Sequence, residues 1–246
     1  MSFSQPSGES TAAAHALPRH VAVIMDGNGR WAQKRLLSRI FGHEKGADAV
    51  REVVRTCREL GIPFLTLYAF STENWQRPQV EIAALMGLLR RFVEAERAEL
   101  IRNHVRLHVI GCIERLPEDL QKALRRLMEE TASNSALQLN LALSYGGRDE
   151  IARAARSIAA CVQDGRLRPE AITEETVAAH LDTRGIPDPD ILIRTGGDMR
   201  ISNFLLWQLA YSEIFVTPTL WPDFDREAFL KIVSDFQLRE RRFGRV

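Results

Sequence analysis

Short apolar runs alternate with longer amphipathic stretches along this chain. The runs fall at 21–25, 64–70, 105–110, 137–143, 191–193 and 214–216, and helical patterns cover about 42–60, 79–102, 117–133, 148–163, 173–181 and 226–237. Strand-length runs separated by helix-length segments predict a mostly parallel central sheet of about six strands covered by helices. No linker divides the pattern, so the expectation is one α/β domain over 19–246.

Three segments say more than their element type. In 42–60, Ala47, Val50, Val54, Cys57 and Leu60 share one stripe of an amphipathic helix. Segment 79–102 is apolar almost all round, through Val80, Ile82, Leu85, Met86, Leu88, Leu89, Phe92 and Val93. Such a helix must cover two faces. One can pack on the sheet, while the other needs a second apolar surface, protein or ligand. At 24 residues it is about 36 Å long, enough to wall an elongated cavity. Strand 137–143 places Leu137, Leu139, Leu141 and Leu143 on one face and Gln138, Asn140 and Ala142 on the other. The leucine face is either plain core or the lining of an apolar cavity.

Composition narrows the setting. Of 246 residues, 45% are hydrophobic, enough for one sizeable core. The 33 basic and 32 acidic side chains leave a net charge of +1. No global field recruits nucleic acid, and any anion site must come from a local arginine cluster. Cys57, Cys112 and Cys161 are scattered and odd in number, with no disulfide or metal spacing, which fits a reducing cytoplasm. Residues 1–18 read as a loose tail, without the basic start and apolar stretch of a signal peptide. No apolar run approaches the roughly 18–20 residues of a membrane span, which still allows transient contact with a membrane surface.

The polar, glycine-rich segments follow strand ends. Asp26-Gly27-Asn28-Gly29-Arg30-Trp31 follows the first run, and Ser71-Thr72-Glu73-Asn74-Trp75-Gln76-Arg77 follows the second. Ser144-Tyr145-Gly146-Gly147-Arg148 follows the fourth, and 194–203, from Arg194 to Asn203, follows the fifth. Ligands of open α/β sheets bind at the carboxyl ends of strands. In the first segment, glycines let backbone N–H groups approach a diphosphate, and Arg30, Arg39 and His43 can neutralise it. Asp26 beside an anion calls for a cation between them. Mg²⁺ held by one or two carboxylates plus substrate phosphates supplies it. A simple turn flanked by surface arginines would show the same letters. Arg194, Arg200 and Ser202 around Gly196-Gly197 make a second candidate anion site. Glu213 is a candidate second carboxylate for the metal, or a surface glutamate.

These segments resemble the signatures of the cis-prenyltransferase family, and of its bacterial undecaprenyl diphosphate synthases in particular. The matching stretches are HVAVIMDGNGRW at 20–31 with FGH at 41–43, and LYAFSTENWQRP at 67–78. IRTGGDMRISNFLLWQ at 193–208, YSE at 211–213 and RFG at 242–244 complete the set, which spans nearly the whole chain. The resemblance implies a Mg²⁺-dependent enzyme that lengthens an allylic diphosphate, such as farnesyl diphosphate, with isopentenyl diphosphate. Its product would be a long Z-polyprenyl diphosphate, the precursor of a cell-wall lipid carrier.

The family's roles carry over by position. Asp26 handles the Mg²⁺-diphosphate, with Glu213 as the other metal ligand. Gly27, Asn28, Gly29, Arg30, Trp31, Arg39 and His43 hold the allylic diphosphate. Arg194, Arg200, Ile201 and Ser202 hold isopentenyl diphosphate, with Thr72, Glu73, Trp75 and Arg77 nearby. Asn74 and Ser71 steer proton loss from the condensing carbon, although an amide is a poor base. A homodimer is implied, with Arg242 and Gly244 reaching the partner's site. The tail would run in a tunnel lined by Ala69, Leu85, Leu88, Leu89, Leu137, Leu139 and Leu141. Strand direction puts Ala69 near its mouth and Leu137 at its far end.

Met199 and Asp149 depart from the family, where His and Trp are frequent, and Met199 cannot donate to a phosphate. A trans-prenyltransferase would need two aspartate-rich clusters, and this chain has no adjacent aspartates. A non-catalytic partner subunit should lack Asp26. A nucleotide-binding module would leave Glu73-Asn74-Trp75 and the second anion site unexplained.

Overall fold

The computed structural model describes residues 17–239. Its six strands are β1 (His20–Ile24), β2 (Phe64–Ser71), β3 (Val105–Ile110), β4 (Leu137–Tyr145), β5 (Ile191–Arg194) and β6 (Glu213–Val216). They form one sheet in the order β3-β4-β2-β1-β5-β6, and every neighbouring pair is parallel. The six strands expected from the apolar runs are all present. Residues 1–16 and 240–246, and with them most of the expected tail and the proposed partner contacts Arg242 and Gly244, lie outside the described residues.

Seven helices accompany the sheet among the described residues: α1 (Asn28–Lys34), α2 (Arg39–Leu60), α3 (Gln79–Arg102), α4 (Glu118–Glu130), α5 (Gly147–Gln163), α6 (Glu174–His180) and α7 (Arg226–Gln237). Six match the helical patterns. Helix α1 has no counterpart among them, because two glycines in its first positions read as loop. Gly27 opens it at φ 111°, a left-handed conformation in which a Cβ would also strike Leu220. Gly42 of α2 lies so close to the Asn28 carbonyl that a Cβ cannot fit, which lets α1 and α2 pack tightly.

In helix α2, Gly42, Gly46, Ala49, Val53, Thr56 and Cys57 are buried, whereas Ala47, Val50 and Val54 are only half-buried. Small residues allow the close approach, and the larger apolar ones are turned toward a groove between α2 and α3. Helix α3 shows the expected two faces. Ile82, Met86, Val93 and Leu100 are buried in the core, while Leu85, Leu88, Leu89 and Phe92 are half-buried along the same groove.

On that side of the sheet Leu65, Leu67, Leu137, Leu139, Leu141 and Leu143 join one core cluster. A smaller cluster on the other face holds Ala22, Ile24, Ala142, Tyr145, Leu192, Phe204 and Leu205. The strand order changes direction at β1, with β2 on one side and β5 on the other. A crevice at the carboxyl ends of β1 and β5 is the expected ligand position in such a sheet.

Candidate active site

The carboxyl ends of β1 and β5 bring Asp26 and Arg194 together. Arg194 is 4% exposed, and its Nη2 donates to Asp26 Oδ2 at 2.8 Å. Its Nη1 donates to Ser202 Oγ at 2.7 Å and to the Arg200 carbonyl. The other Asp26 oxygen meets Arg30 Nη2 at 3.0 Å. Burial works to raise the Asp26 pKa, but the Arg194 and Arg30 hydrogen bonds outweigh it and hold the carboxyl below its usual range.

Asp198 sits in the same cluster, 2.6 Å from Arg200, 3.5 Å from Arg194 and 3.8 Å from Arg30. Arg30, Arg194 and Arg200, three cations that bind anions in the expected reading, are therefore cross-linked by two carboxylates. Asp198 was legible only as a charge beside two arginines. Ser202 and Asn203 both take left-handed backbone conformations, at φ 47° and 60°, and Asn203 Nδ2 donates to Glu73 Oε1 at 2.8 Å. Burial works to raise the Glu73 pKa, but that bond, with hydrogen bonds from the Glu73 backbone, Ser71 and Thr72, outweighs it and lowers the pKa.

Two cavities meet at this edge. The polar one is lined by Asp26, Arg194, Ser202, Ser71, Glu73 and Asn203. The second, of about 970 Å³ and partly open to solvent, starts at Asn28, His43 and Arg77 and runs between α2 and α3 past Leu85, Leu88 and Leu89. Met25, Tyr68, Asn74 and Arg77 line both. Met25 and Tyr68 are site residues that the motif reading did not assign. Tyr68 continues the alternation of β2 onto the side opposite Leu67, and its hydroxyl donates to the carbonyls of Tyr145 and Ser202 at 3.3 and 3.4 Å. Asn74 is fixed by its own turn, accepting from the Ser71 N–H at 3.1 Å.

Arg39 lies against Gly29 and 3.9 Å from Glu81, which also takes Arg77 at 2.9 Å. His43 departs from its expected charge. Burial lowers its pKa to about 4, helped by Arg77 and Arg39 and opposed by Glu81. A neutral imidazole can donate a hydrogen bond to phosphate, but it does not neutralise one.

The chain matches the prenyltransferase family model described as "Putative undecaprenyl diphosphate synthase" over residues 24–244. The chain belongs to this cis-prenyltransferase family. It is 53% identical over 228 residues to the isoprenyl transferase of Rhizobium meliloti, covering 93% of this chain and 92% of that one. Identity to the isoprenyl transferase of Geobacter sulfurreducens is 52% over 229 residues, 93% of each. The fold matches the lavandulyl diphosphate synthase of Lavandula x intermedia, solved with dimethylallyl diphosphate. That TM-score is 0.90 at 38% identity, over 93% of this chain and 98% of that one. A probable undecaprenyl diphosphate synthase from Campylobacter jejuni gives a TM-score of 0.78 at 37% identity, over 94% and 100%.

Some residues expected at the substrates of this prenyltransferase lie elsewhere. Trp31 is buried, with its Nε1 donating to Asp223 Oδ1 at 2.6 Å and the Arg35 guanidinium over its ring at 4.0 Å. Trp75 donates to Ser144 Oγ at 2.9 Å and packs edge-on to Phe70, facing the α3–α4 side. Thr72 lies against Gly146, and Ile201 packs on the smaller core cluster. These four support the loops without lining either cavity. Met199 is 88% exposed, and Asp149 pairs with Arg153 at 2.9 Å.

Glu213 does not join Asp26 within one chain. It is the first residue of β6, paired with Ile191, the first residue of β5. In a parallel sheet that is the amino edge, and Asp26 follows the carboxyl edge. Glu213 instead pairs with Arg239 at 2.9 Å. Leu137 is likewise misplaced as a tunnel end: it is 0% exposed in the core and lines neither cavity. Ala69 and Leu141 line the apolar cleft as expected, but Leu139 lies beyond it.

The donor set fits a magnesium ion that arrives with a diphosphate. Among the described residues no three carboxylate, His or Cys groups converge as a ready-made cage. Asp26, with Asp198 sharing its arginines, offers the few oxygen donors that Mg²⁺ takes from protein when phosphates and water complete its shell.

Proposed function

We propose that this prenyltransferase condenses isopentenyl diphosphate repeatedly onto an allylic diphosphate, forming Z double bonds and a product of undecaprenyl length. The observation that carries this reading is the continuity of one anion site with the apolar cleft. Asn28, His43 and Arg77 stand at the head of a groove whose walls are Leu85, Leu88, Leu89 and Leu141. A molecule with a diphosphate head and an isoprenoid tail matches both halves. The second site, at Arg194 and Ser202, opens into the polar cavity alone and suits the short isopentenyl diphosphate.

The chain's own groups supply binding and alignment. The α1 N-terminus, Arg30 and Arg39 hold the allylic diphosphate as its bond to carbon weakens. Arg194, Arg200 and Ser202 place the second substrate across the crevice, so the two carbons meet without an entropy cost at the reacting moment. Asn74, which lines both cavities, and Ser71, which lines the polar one, orient the condensing carbon for proton loss. Mg²⁺, held at Asp26 with the diphosphate, would add charge stabilisation to the leaving group. The family description, undecaprenyl diphosphate synthase, supports the long product, and the reading includes a homodimer acting in the cytoplasm. No described helix is long and apolar enough to cross a membrane.

The test is incubation with farnesyl diphosphate and labelled isopentenyl diphosphate, with chromatography of the products. Mg²⁺-dependent long Z-polyprenyl diphosphates are expected. Absence of any condensation would overturn the reading, and products stopping after one or two additions would reject the chain length.

A further inference from the structure

The turn between α1 and α2 carries an apolar tip that nothing among the described residues covers. Helix α1 closes as a Schellman turn: the Leu36 N–H donates to the Gln33 carbonyl at 3.1 Å, and the Leu37 N–H donates to the Ala32 carbonyl at 2.9 Å. Such a turn holds its first residue beyond the cap in a left-handed conformation, which glycine usually takes. Here that residue is Leu36, at φ 56° and 96% exposed. The chain thus keeps a leucine in a conformation unfavourable to it and gains no internal packing in return. Leu37 and Phe41 are exposed beside it. Val80, next to the Glu81 that Arg39 approaches to 3.9 Å, is 79% exposed across the head of the cleft. The surrounding charge has one sign. Residues 27–43 contain Arg30, Lys34, Arg35 and Arg39 and no carboxylate, in a chain whose net charge is +1. Among the described residues Asp223 reaches Arg35 at 3.5 Å, and no carboxylate reaches Lys34.

We propose that this tip, Leu36 and Leu37 with Phe41, docks the protein on a bilayer surface rich in acidic lipid headgroups. Leucines at the tip enter the apolar edge of the bilayer, while Lys34, Arg35 and Arg39 stay level with the headgroup phosphates. A second copy of the chain suits the patch poorly, because about a two-fold axis the same cations would face one another. The patch borders the apolar cleft, since His43, two residues after Phe41, lines the cleft head. Docking therefore sets that entrance against the lipid surface. The binding needs no turnover and does not depend on the elongation reading.

The test is sedimentation of the full chain with phosphatidylcholine vesicles, with and without phosphatidylglycerol, at low and high salt. The parent should bind the acidic vesicles, leave them in high salt, and bind the neutral ones about tenfold more weakly or less. Leu36→Gly/Leu37→Ser should weaken binding to acidic vesicles about tenfold or more. Lys34→Glu should weaken it on acidic vesicles alone. Leu238→Ser, which removes an exposed leucine just past α7, should bind like the parent. Thermal unfolding separates docking from a structural role. Leu36→Gly should melt no lower than the parent, because glycine favours the conformation in which the leucine is held. A parent that binds no acidic vesicle, or binds neutral ones equally well, overturns the proposal. So does parent-like binding by the double variant, an equal loss in Leu238→Ser, or a lower melting midpoint in Leu36→Gly. Vesicle binding without any condensation would strike the functional reading alone.

Discussion

The two faces of the sheet, crossed by the same strands, have opposite fates. Toward α2 and α3 the strands present leucines, and the face is open. Toward α5 and α6 they present Gln138, Asn140, Thr66 and His20, and the face is sealed. The sealed polar row is linked end to end. Gln138 donates to Asn140 at 2.9 Å, Asn140 donates to Thr66 at 3.0 Å, and Thr66 meets His20 Nε2 at 2.7 Å. His20 Nδ1 meets the Pro187 carbonyl at 2.6 Å. His20, Thr66 and Asn140 are buried and bonded to one another or to backbone, so they are not free for a ligand. The open face has nothing to hydrogen-bond, and its helices stand apart. Polarity of a strand face therefore says little about where a substrate lies. The spacing of the covering helices decides it.

If the division is real, substitutions at the carboxyl edge should change turnover, and those on the sealed face should change stability. The largest effect belongs to Asp26→Asn. The amide keeps the shape and can accept from Arg194 but lacks the charge. Turnover should fall about 10²–10³-fold, comparable to losing one oriented charge-stabilising group. The thermal midpoint should stay near the parent's. Near-parent turnover would remove Asp26 from the chemistry.

Next comes a contrast within the open side. Leu137→Ala should cost roughly 2–5 kcal/mol of stability by leaving a cavity in the core, with product length unchanged. Ala69→Leu, which fills the cleft itself, should shorten products at small cost in stability. Longer products from folded Leu137→Ala would restore that residue as the end of the tunnel. On the sealed face, Thr66→Val leaves His20 and Asn140 without their shared oxygen. A loss of about 2–4 kcal/mol is expected in denaturant unfolding, with the product profile of the folded fraction intact. A change in product length would show that the two faces are coupled.

The strands were legible because their runs are short, apolar and spaced by helix-length segments, and parallel sheets bury both faces. The anion sites were legible because glycines and arginines collect after strand ends. Glu213 was misjudged although its position carried the warning: it begins a strand, whereas every other site segment follows one. The apolar stripe on α2 serves both core and cleft, because hydrophobicity marks what avoids water, and a ligand cleft satisfies that as well as the core does. Glycine and alanine, invisible to such a pattern, make the tighter contact. Trp31 and Trp75 sit inside the signatures yet point away from the cavities, and nothing in linear spacing tells a loop's brace from its binding group. The pairing of Arg51 with Glu96, 45 positions apart, exists only once α2 and α3 are adjacent.

His20 on the sealed side and His43 at the head of the cleft are both shielded from water, and this pair sharpens the comparison most finely. Burial lowers both His20 and His43 to about 4. For His20 the Pro187 carbonyl and Asp190 oppose the shift, while for His43 Glu81 opposes it and Arg77 and Arg39 reinforce it. The sign follows from linkage. Unfolded histidine, near 6.5, binds a proton that the folded state refuses, so stability falls as pH drops from about 6.5 toward 4 and levels below that. Each histidine should contribute about 3 kcal/mol to that loss, at about 1.4 kcal/mol per pKa unit, and Asp26 adds its own only at lower pH, because its pKa is depressed. A diphosphate in the cleft should separate the two. Its negative charge beside His43 favours the imidazolium and should raise that pKa by about one unit or more. His20, sealed behind the sheet, should not move. Histidine proton resonances followed through a pH titration, with and without a non-reactive allylic diphosphate analogue, would show both. Equal shifts at the two positions would mean that the ligand acts on the whole fold, and no shift at His43 would place the diphosphate elsewhere.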